Sequence, residues 1–341
     1  MAVWLVRAGR DGSREDFVLE NGVAAIGFDE LPDLSDVKTR AELESLFRAA
    51  HPQDHPGRIA NYVGQVWAFL QGIQNGDLVA LPLKRRAAVA IGRVTGGYRY
   101  RADWNPGVRH TRPVEWLMQD IPRNAFDQDL LYSLGAFMTV CRIQRNNAEA
   151  RIRALLEGKR APATPLPSAV DASGDEADVA APPDLEEYAS DQIQTFIGTK
   201  FKGHRLADLV DALLKAQGYR TEKSPPGPDG GVDILAGRGT FGFDPPRLCV
   251  QVKSGDETQD VRTIRELQGV MKNFGAEQGL IIAWGGFRKT VLAEAKRQFF
   301  EIRLWDAGDL VENLLREYEN LPEDIQAELP LKRFWGLVLE E

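Results

Sequence analysis

The residues of this chain best suited to chemistry are an acid, an amide and an amine carried on two neighbouring segments. Asp233 lies in Gly227-Pro228-Asp229-Gly230-Gly231-Val232-Asp233-Ile234, and Gln251 and Lys253 lie in Leu248-Cys249-Val250-Gln251-Val252-Lys253-Ser254. If both segments are strands, side chains alternate faces with period two. Val232 and Ile234 then face the core together and Asp233 points the other way. In the second segment Leu248, Val250 and Val252 form the apolar row, which leaves Cys249, Gln251 and Lys253 opposite. A polar pair two residues apart on an otherwise buried strand is costly unless something uses it.

The use that fits these residue types is metal-assisted phosphodiester hydrolysis. Asp233 would hold a hard divalent cation through oxygen, Mg2+ or alternatively Mn2+. Lys253 would help the attacking water lose a proton, or neutralise the charge that builds on the phosphoryl oxygens. Gln251 offers a neutral oxygen that holds a cation less strongly than a carboxylate does. Asp229 is the accessory acid, although its Pro/Gly-rich surroundings equally make it a turn residue.

The blocks Asp229-Gly230-Gly231-Val232-Asp233 and Gln251-Val252-Lys253 resemble the Mrr-like restriction endonucleases of the PD-(D/E)XK nuclease superfamily. That branch often carries Gln where other members carry Glu. The resemblance implies a mixed α/β sheet with flanking helices and a catalytic set of Asp233, Gln251 and Lys253. It also implies Mg2+ held by Asp233 and Gln251, and DNA, foreign or modified, as substrate. Relatives often carry Glu near the start of the first core helix, whereas here the aligned position is Ala207, with Asp208 and His204 close by. Gln268 resembles the glutamine on the helix after the catalytic lysine and is an accessory candidate or a helix-surface amide.

The elements that must position these residues follow from periodicity. Leu206, Leu209, Val210, Leu213 and Leu214 recur at helical spacing and stop at Gly218. Val261, Ile264, Leu267, Val270 and Met271 stripe a second helix over 260–273. The run 279–284 reads as a strand buried on both faces, followed by a helix over 288–300 and a strand over 302–305. The order from Leu206 is thus helix, strand, strand, helix, strand, helix, strand, helix. Gly285-Gly286-Phe287 is a tight connection, or a place where backbone amides could approach a phosphate.

The chain has 341 residues, enough for two separate cores. Residues 158–183 are rich in Ala, Pro, Ser, Gly and Asp and read as a flexible linker between a domain at 1–157 and one at 184–341. The N-terminal part suggests strands around an Asn21-Gly22 turn, helices over 40–50 and 59–71, and strands over 76–82 and 87–94. Its Gly76-Asp77-Leu78-Val79 and Ile91-Gly92-Arg93-Val94 steps resemble the small β-barrels of the PUA-like group, which includes EVE and YTH domains. That implies a β-rich α+β domain recognising nucleic acid. Lys84, Arg85, Arg86, Arg99 and Arg101 stand here with Tyr98, Tyr100 and Trp104, in a protein of formal charge −8. Cations that can neutralise phosphates beside rings that can stack on bases suit nucleic acid. The alternative places the rings inside a barrel and the arginines on opposite strand faces.

Cys141 and Cys249 form neither a zinc pattern nor a disulfide framework, which points to a reducing cytoplasm. No apolar run is long enough to span a bilayer, and no phosphate-binding loop of the Walker type is present. The leading expectation is a two-domain, metal-dependent DNA endonuclease of restriction or defence type. The alternatives are an inactive nuclease-fold DNA-binding protein, motivated by Gln251 and Ala207, and a nuclease effector switched on by a nucleotide signal. Double-strand cutting with one site per chain calls for a homodimer.

Overall fold

In the computed structural model the described residues are 1–9, 11–136, 138–159, 184–225 and 231–334. Most of the segment read as a linker, 160–183, lies outside them, as does Asp229. The chain divides into two compact units, Met1–Gln192 and Ile193–Glu341.

The N-terminal unit contains, in order, β1 (Val3–Val6), α1 (Glu15–Glu20), β2 (Val23–Ile26), α2 (Arg40–Ala50) and α3 (Pro56–Trp67), which one wider turn, Ala68–Gly72, prolongs. Then come β3 (Leu78–Pro82), β4 (Ala88–Val94), β5 (Arg99–Tyr100), β6 (His110–Pro122), α4 (Gln128–Leu134), β7 (Val140–Ile143) and α5 (Ala148–Leu156). The strands form one sheet in the order β2-β6-β4-β3-β1-β7, with β5 on β6, and β1 runs parallel to β3. The segment 17–20, expected as a strand, is helical. Glu15, Val18 and Leu19 are its buried residues, a helical spacing, and the Asn21 backbone N–H donates to the Phe17 carbonyl to close the turn.

Helix α6 (Leu185–Lys200) begins within the N-terminal unit. Its Glu187 meets Arg7 at 3.0 Å, Arg123 at 2.8 Å and Lys84 at 3.1 Å, and Asp191 takes two hydrogen bonds from Arg123 at 2.5 and 2.6 Å. Burial alone would raise the Glu187 carboxyl, but Arg123, Arg7 and Lys84 outweigh it and hold it down at about 2.

The C-terminal unit continues with α7 (His204–Ala216), β8 (Arg220–Lys223), β9 (Ile234–Arg238), β10 (Asp244–Lys253) and α8 (Val261–Phe274). It ends with β11 (Gln278–Ala283), α9 (Lys289–Arg297), β12 (Ile302–Trp305), α10 (Ala307–Glu317) and α11 (Glu323–Glu328). The five strands stand in the order β12-β11-β10-β9-β8. β8, β9 and β10 are antiparallel, and β10, β11 and β12 are parallel. The mixed α/β core therefore has one strand more than the periodicity indicates. β8 is a polar edge strand, Arg-Thr-Glu-Lys, with no apolar alternation to announce it.

Helices cover both faces of this sheet. Leu209, Val210 and Leu213 of α7 and Leu310 and Leu314 of α10 pack with Ile234, Val250 and Ile282. Ile264, Leu267 and Met271 of α8 and Val291 of α9 pack with Cys249, Ile281 and Ala283 on the other side. Asp260 caps α8 by accepting from the Arg262 N–H at 2.8 Å, and Gly275 ends it at φ 62°, a conformation that costs glycine nothing.

Candidate active site

Antiparallel register brings the acid and the amide together. Val250 pairs with Ile234 and Cys249 with Leu235, which brings Asp233, the residue just before β9, beside the stretch of β10 that carries Gln251. Lys253 follows Gln251 by two residues and shares its face, about 7 Å along the strand. That face is the one packed under α8, and it also carries the wholly buried Cys249, whose thiol burial pushes up to about 11.

The alternation expected before Asp233 does not hold. Ile234 packs with the α7 side of the sheet, whereas Val232 packs with the α8 side. The chain bends at Asp233, because β9 begins only at Ile234. The Asp233 carboxylate takes over the ladder at that point. Its Oδ2 accepts the Val252 backbone N–H at 2.7 Å, and its own N–H donates to the Val250 carbonyl at 3.0 Å. The hydrogen bond anchors the carboxylate beside the backbone that joins Gln251 to Lys253.

Gln251 is 5% exposed, and among the described residues its Oε1 has no hydrogen-bond partner. A buried acceptor left unpaired costs about 1–3 kcal/mol, so this position asks for a donor or a cation. Lys253 is half-buried, and among the described residues no carboxylate forms an ion pair with its ammonium. Among those residues no three His, Cys, Asp or Glu side chains converge, so the protein oxygens that fit a hard cation here are the Asp233 carboxylate and the Gln251 amide.

The accessory candidates separate. Gln268 lies half-buried on α8, next to Leu267, which packs over the Gln251 face. On the opposite face, Ala207 of α7 is buried and Asp208 is ion-paired with Lys223. At Gly285 a Cβ would stand 2.5 Å from the Asp256 carbonyl carbon and the Glu257 carbonyl oxygen, so the loops after β10 and β11 touch backbone to backbone. The Gln259 N–H donates to Gly286 at 2.9 Å and the Arg288 N–H to Gln259 at 3.1 Å, joining those loops further. Sequence reasoning missed this zipper; the two adjacent glycines were its one signal.

In the N-terminal unit the basic candidates fall into two groups. Lys84 pairs with Asp184 at 2.7 Å and with Glu187, and Arg86 pairs with Asp120. Arg85 is exposed with Asp16 at 3.7 Å, and Arg99 is exposed. Arg101 lies over the Trp104 ring at 4.3 Å and meets Asp103 at 3.3 Å, while Trp104 packs edge-on against Phe17. The Tyr98 hydroxyl bonds His110 Nδ1 at 2.8 Å and accepts the Leu34 N–H at 3.3 Å, and the Tyr100 ring stands 5.1 Å from the His110 ring. Arg112, in the same basic stretch of sequence, is buried and donates to the carbonyls of Phe69 and Leu70, which the wide turn after α3 leaves available, and to that of Gly96 after β4.

Residues 199–314 match the family profile described as restriction endonuclease, Mrr_cat. Over those residues the C-terminal unit is similar to Mrr-type restriction endonuclease domains. Residues 4–142 match a family described as a domain of unknown function, DUF8426. Among solved structures the chain is similar to AF1548, a protein of unknown function, at 16% identity and TM-score 0.26, over 31% of this chain and 64% of that one. It is similar to the DNA modification-dependent restriction endonuclease AspBHI at 16% identity and TM-score 0.34, over 82% of this chain and 77% of the other. It is also similar to the MspJI restriction endonuclease in complex with a 27-mer oligonucleotide, at 14% identity and TM-score 0.32, over 96% and 79%. No curated protein matches the chain. Among the described residues no helix is long and apolar enough to cross a membrane.

Proposed function

We propose that this chain is a metal-dependent DNA endonuclease of restriction type, acting on foreign or modified DNA. The observation that carries the reading is the hydrogen bond that ties the Asp233 carboxylate to the Val252 N–H, between Gln251 and Lys253, within the segment that matches restriction endonucleases. The Asp233 carboxylate and Gln251 Oε1 would hold Mg2+ or Mn2+. When bound, the cation would offset negative charge on the scissile phosphate and lower the pKa of water. Asp233 is held in place for this by the Val252 N–H. Lys253 orients the attacking water and shields the charge developing on the phosphoryl oxygens. Water adds to phosphorus, the P–O bond to the leaving sugar oxygen breaks, and that oxygen takes up a proton. In the N-terminal unit, Arg99 and Arg101 with Trp104 are the groups proposed to meet the nucleic acid.

A cleavage assay on methylated, hydroxymethylated and unmodified DNA with Mg2+ tests the reading. Asp233→Asn is the informative variant, since an amide oxygen can still accept the Val252 N–H while the charge is lost. Cleavage should fall by at least about 1,000-fold in Asp233→Asn and in Lys253→Ala, with circular dichroism and melting unchanged. A folded Asp233→Asn protein that cuts as the wild type does would refute it. The neutral Gln251 and the lack of a third acid among the described residues favour a second reading, an inactive DNA-binding scaffold. Salt-sensitive DNA binding without cleavage across Mg2+ and Mn2+ would select that one.

A further inference from the structure

Five exposed phenylalanines of the C-terminal unit lie toward one end of its sheet. β10, β11 and β12 run parallel, so their first residues lie together, at the end opposite to Lys253 and Ala283. Phe241 and Phe243 stand in the turn between β9 and β10 with ring centroids 6.2 Å apart. Phe274 is the last residue of α8, just before β11. Phe299 and Phe300 lie between α9 and β12, edge to face at 5.3 Å. The right-handed logic of strand, helix, parallel strand returns each helix to the starting end of the sheet, and so all five rings share that end.

The five residues are between 48% and 84% exposed. At about 150–250 Å² per aromatic side chain this amounts to roughly 500–850 Å² of aromatic surface. The largest apolar patch on a monomer is typically about 300–600 Å², and a stable protein pair buries about 800 Å² per partner. The charges around the rings are of both signs. Arg247 pairs with Glu277 at 2.9 Å and Arg297 with Glu294 at 3.5 Å, and the Arg303 guanidinium lies over the Phe299 ring at 3.8 Å. A nucleic-acid backbone is met by a field of one sign, whereas mixed charge around an aromatic centre suits a protein surface. Every copy of the chain carries the same patch, and a two-fold pairing hides it on both partners.

We propose that this end of the C-terminal unit is the surface through which two copies of the chain associate. The contact leaves Asp233 and Lys253 toward the other end of β10, roughly 10–30 Å away along the strand. Sedimentation of the full chain, compared with a Phe241→Ser, Phe243→Ser, Phe300→Ser variant, tests this without reference to cleavage. The wild type should sediment at about twice its 37.9 kDa. The variant, whose changes are all at exposed positions, should keep its circular dichroism spectrum and weaken dimerisation by at least about 100-fold. As a second measurement, Thr240→Cys in the same turn should be cross-linked to a dimer by a bismaleimide, with the wild-type chain as control for its two native cysteines. A wild type that stays monomeric at about 100 μM, or a variant that pairs as well as the wild type, overturns the proposal. So does a monomeric wild type whose DNA affinity falls in the variant, which would make this end a nucleic-acid contact.

Discussion

Gln251→Glu measures whether position 251 holds a cation. The side chain is buried next to the residue whose N–H holds the Asp233 carboxylate, so the substitution sets two carboxylates on the order of 5 Å apart. At an effective dielectric of about 20 they repel by about 3 kcal/mol, and Lys253, about 7 Å along the strand, returns about 2 kcal/mol. Burying the new charge costs a few kcal/mol more, so the metal-free variant should lose about 2–4 kcal/mol at neutral pH. A divalent cation reverses the sign, because both carboxylates then become ligands. With a Kd of about 0.1 mM, about 10 mM Mg2+ restores about 2.7 kcal/mol. Urea unfolding with chelator and with Mg2+ gives both quantities, and the Mg2+ needed for half-maximal cleavage should fall about tenfold. If the variant is as stable as the wild type in chelator and shows the same Mg2+ dependence in both assays, Gln251 is not a cation donor and the assigned site is wrong.

Other expected outcomes concern the framework. Because the Glu187 carboxyl is held at about 2 in the fold, below its ordinary 4.5, its contribution is present above pH 4.5 and is lost as pH falls through about 2. The loss amounts to about 3 kcal/mol, and urea unfolding of Glu187→Gln should show a flatter stability profile across that window. Gly285→Ala forces a methyl against backbone of the neighbouring loop and should cost about 1–3 kcal/mol in thermal melts. At Gly269, in α8, a methyl meets nothing within 4 Å, so Gly269→Ala should stabilise by about 0.5–1 kcal/mol. Arg101→Ala combined with Trp104→Ala should weaken DNA binding and lower its salt dependence by about one unit of slope; unchanged binding would remove this pair from the interface.

Much of the C-terminal unit is legible in its residues because its patterns are strong. The stripe in α8, with Asp260 before it and Gly275 after it, marks that helix to within a residue, and 302–305 is read as the strand it is. The polar β8 escapes, as edge strands do when neither face is fully buried. The long β6 escapes too, because His110, Thr111 and Arg112 are all buried in succession and break the alternation that would announce it. Arg112 lies in the basic stretch of sequence that suits nucleic acid, yet its guanidinium satisfies backbone carbonyls of the wide turn after α3.

By itself the sequence determined which residues could do chemistry and which faces they share, since period two on β10 places Gln251 and Lys253 together whatever surrounds them. It could not determine partners, because contacts between distant segments follow from register and packing rather than from local pattern. The tertiary structure decided that the Asp233 carboxylate is tied to the Val252 N–H, between Gln251 and Lys253, and that the chain bends there. It also decided that Lys84 and Arg86 are held in ion pairs, and that five phenylalanines lie toward one end of the sheet. The physical reason is the same in each case: a side chain's charge or ring is written in the residue, but what neutralises or covers it lies tens of positions away in the chain.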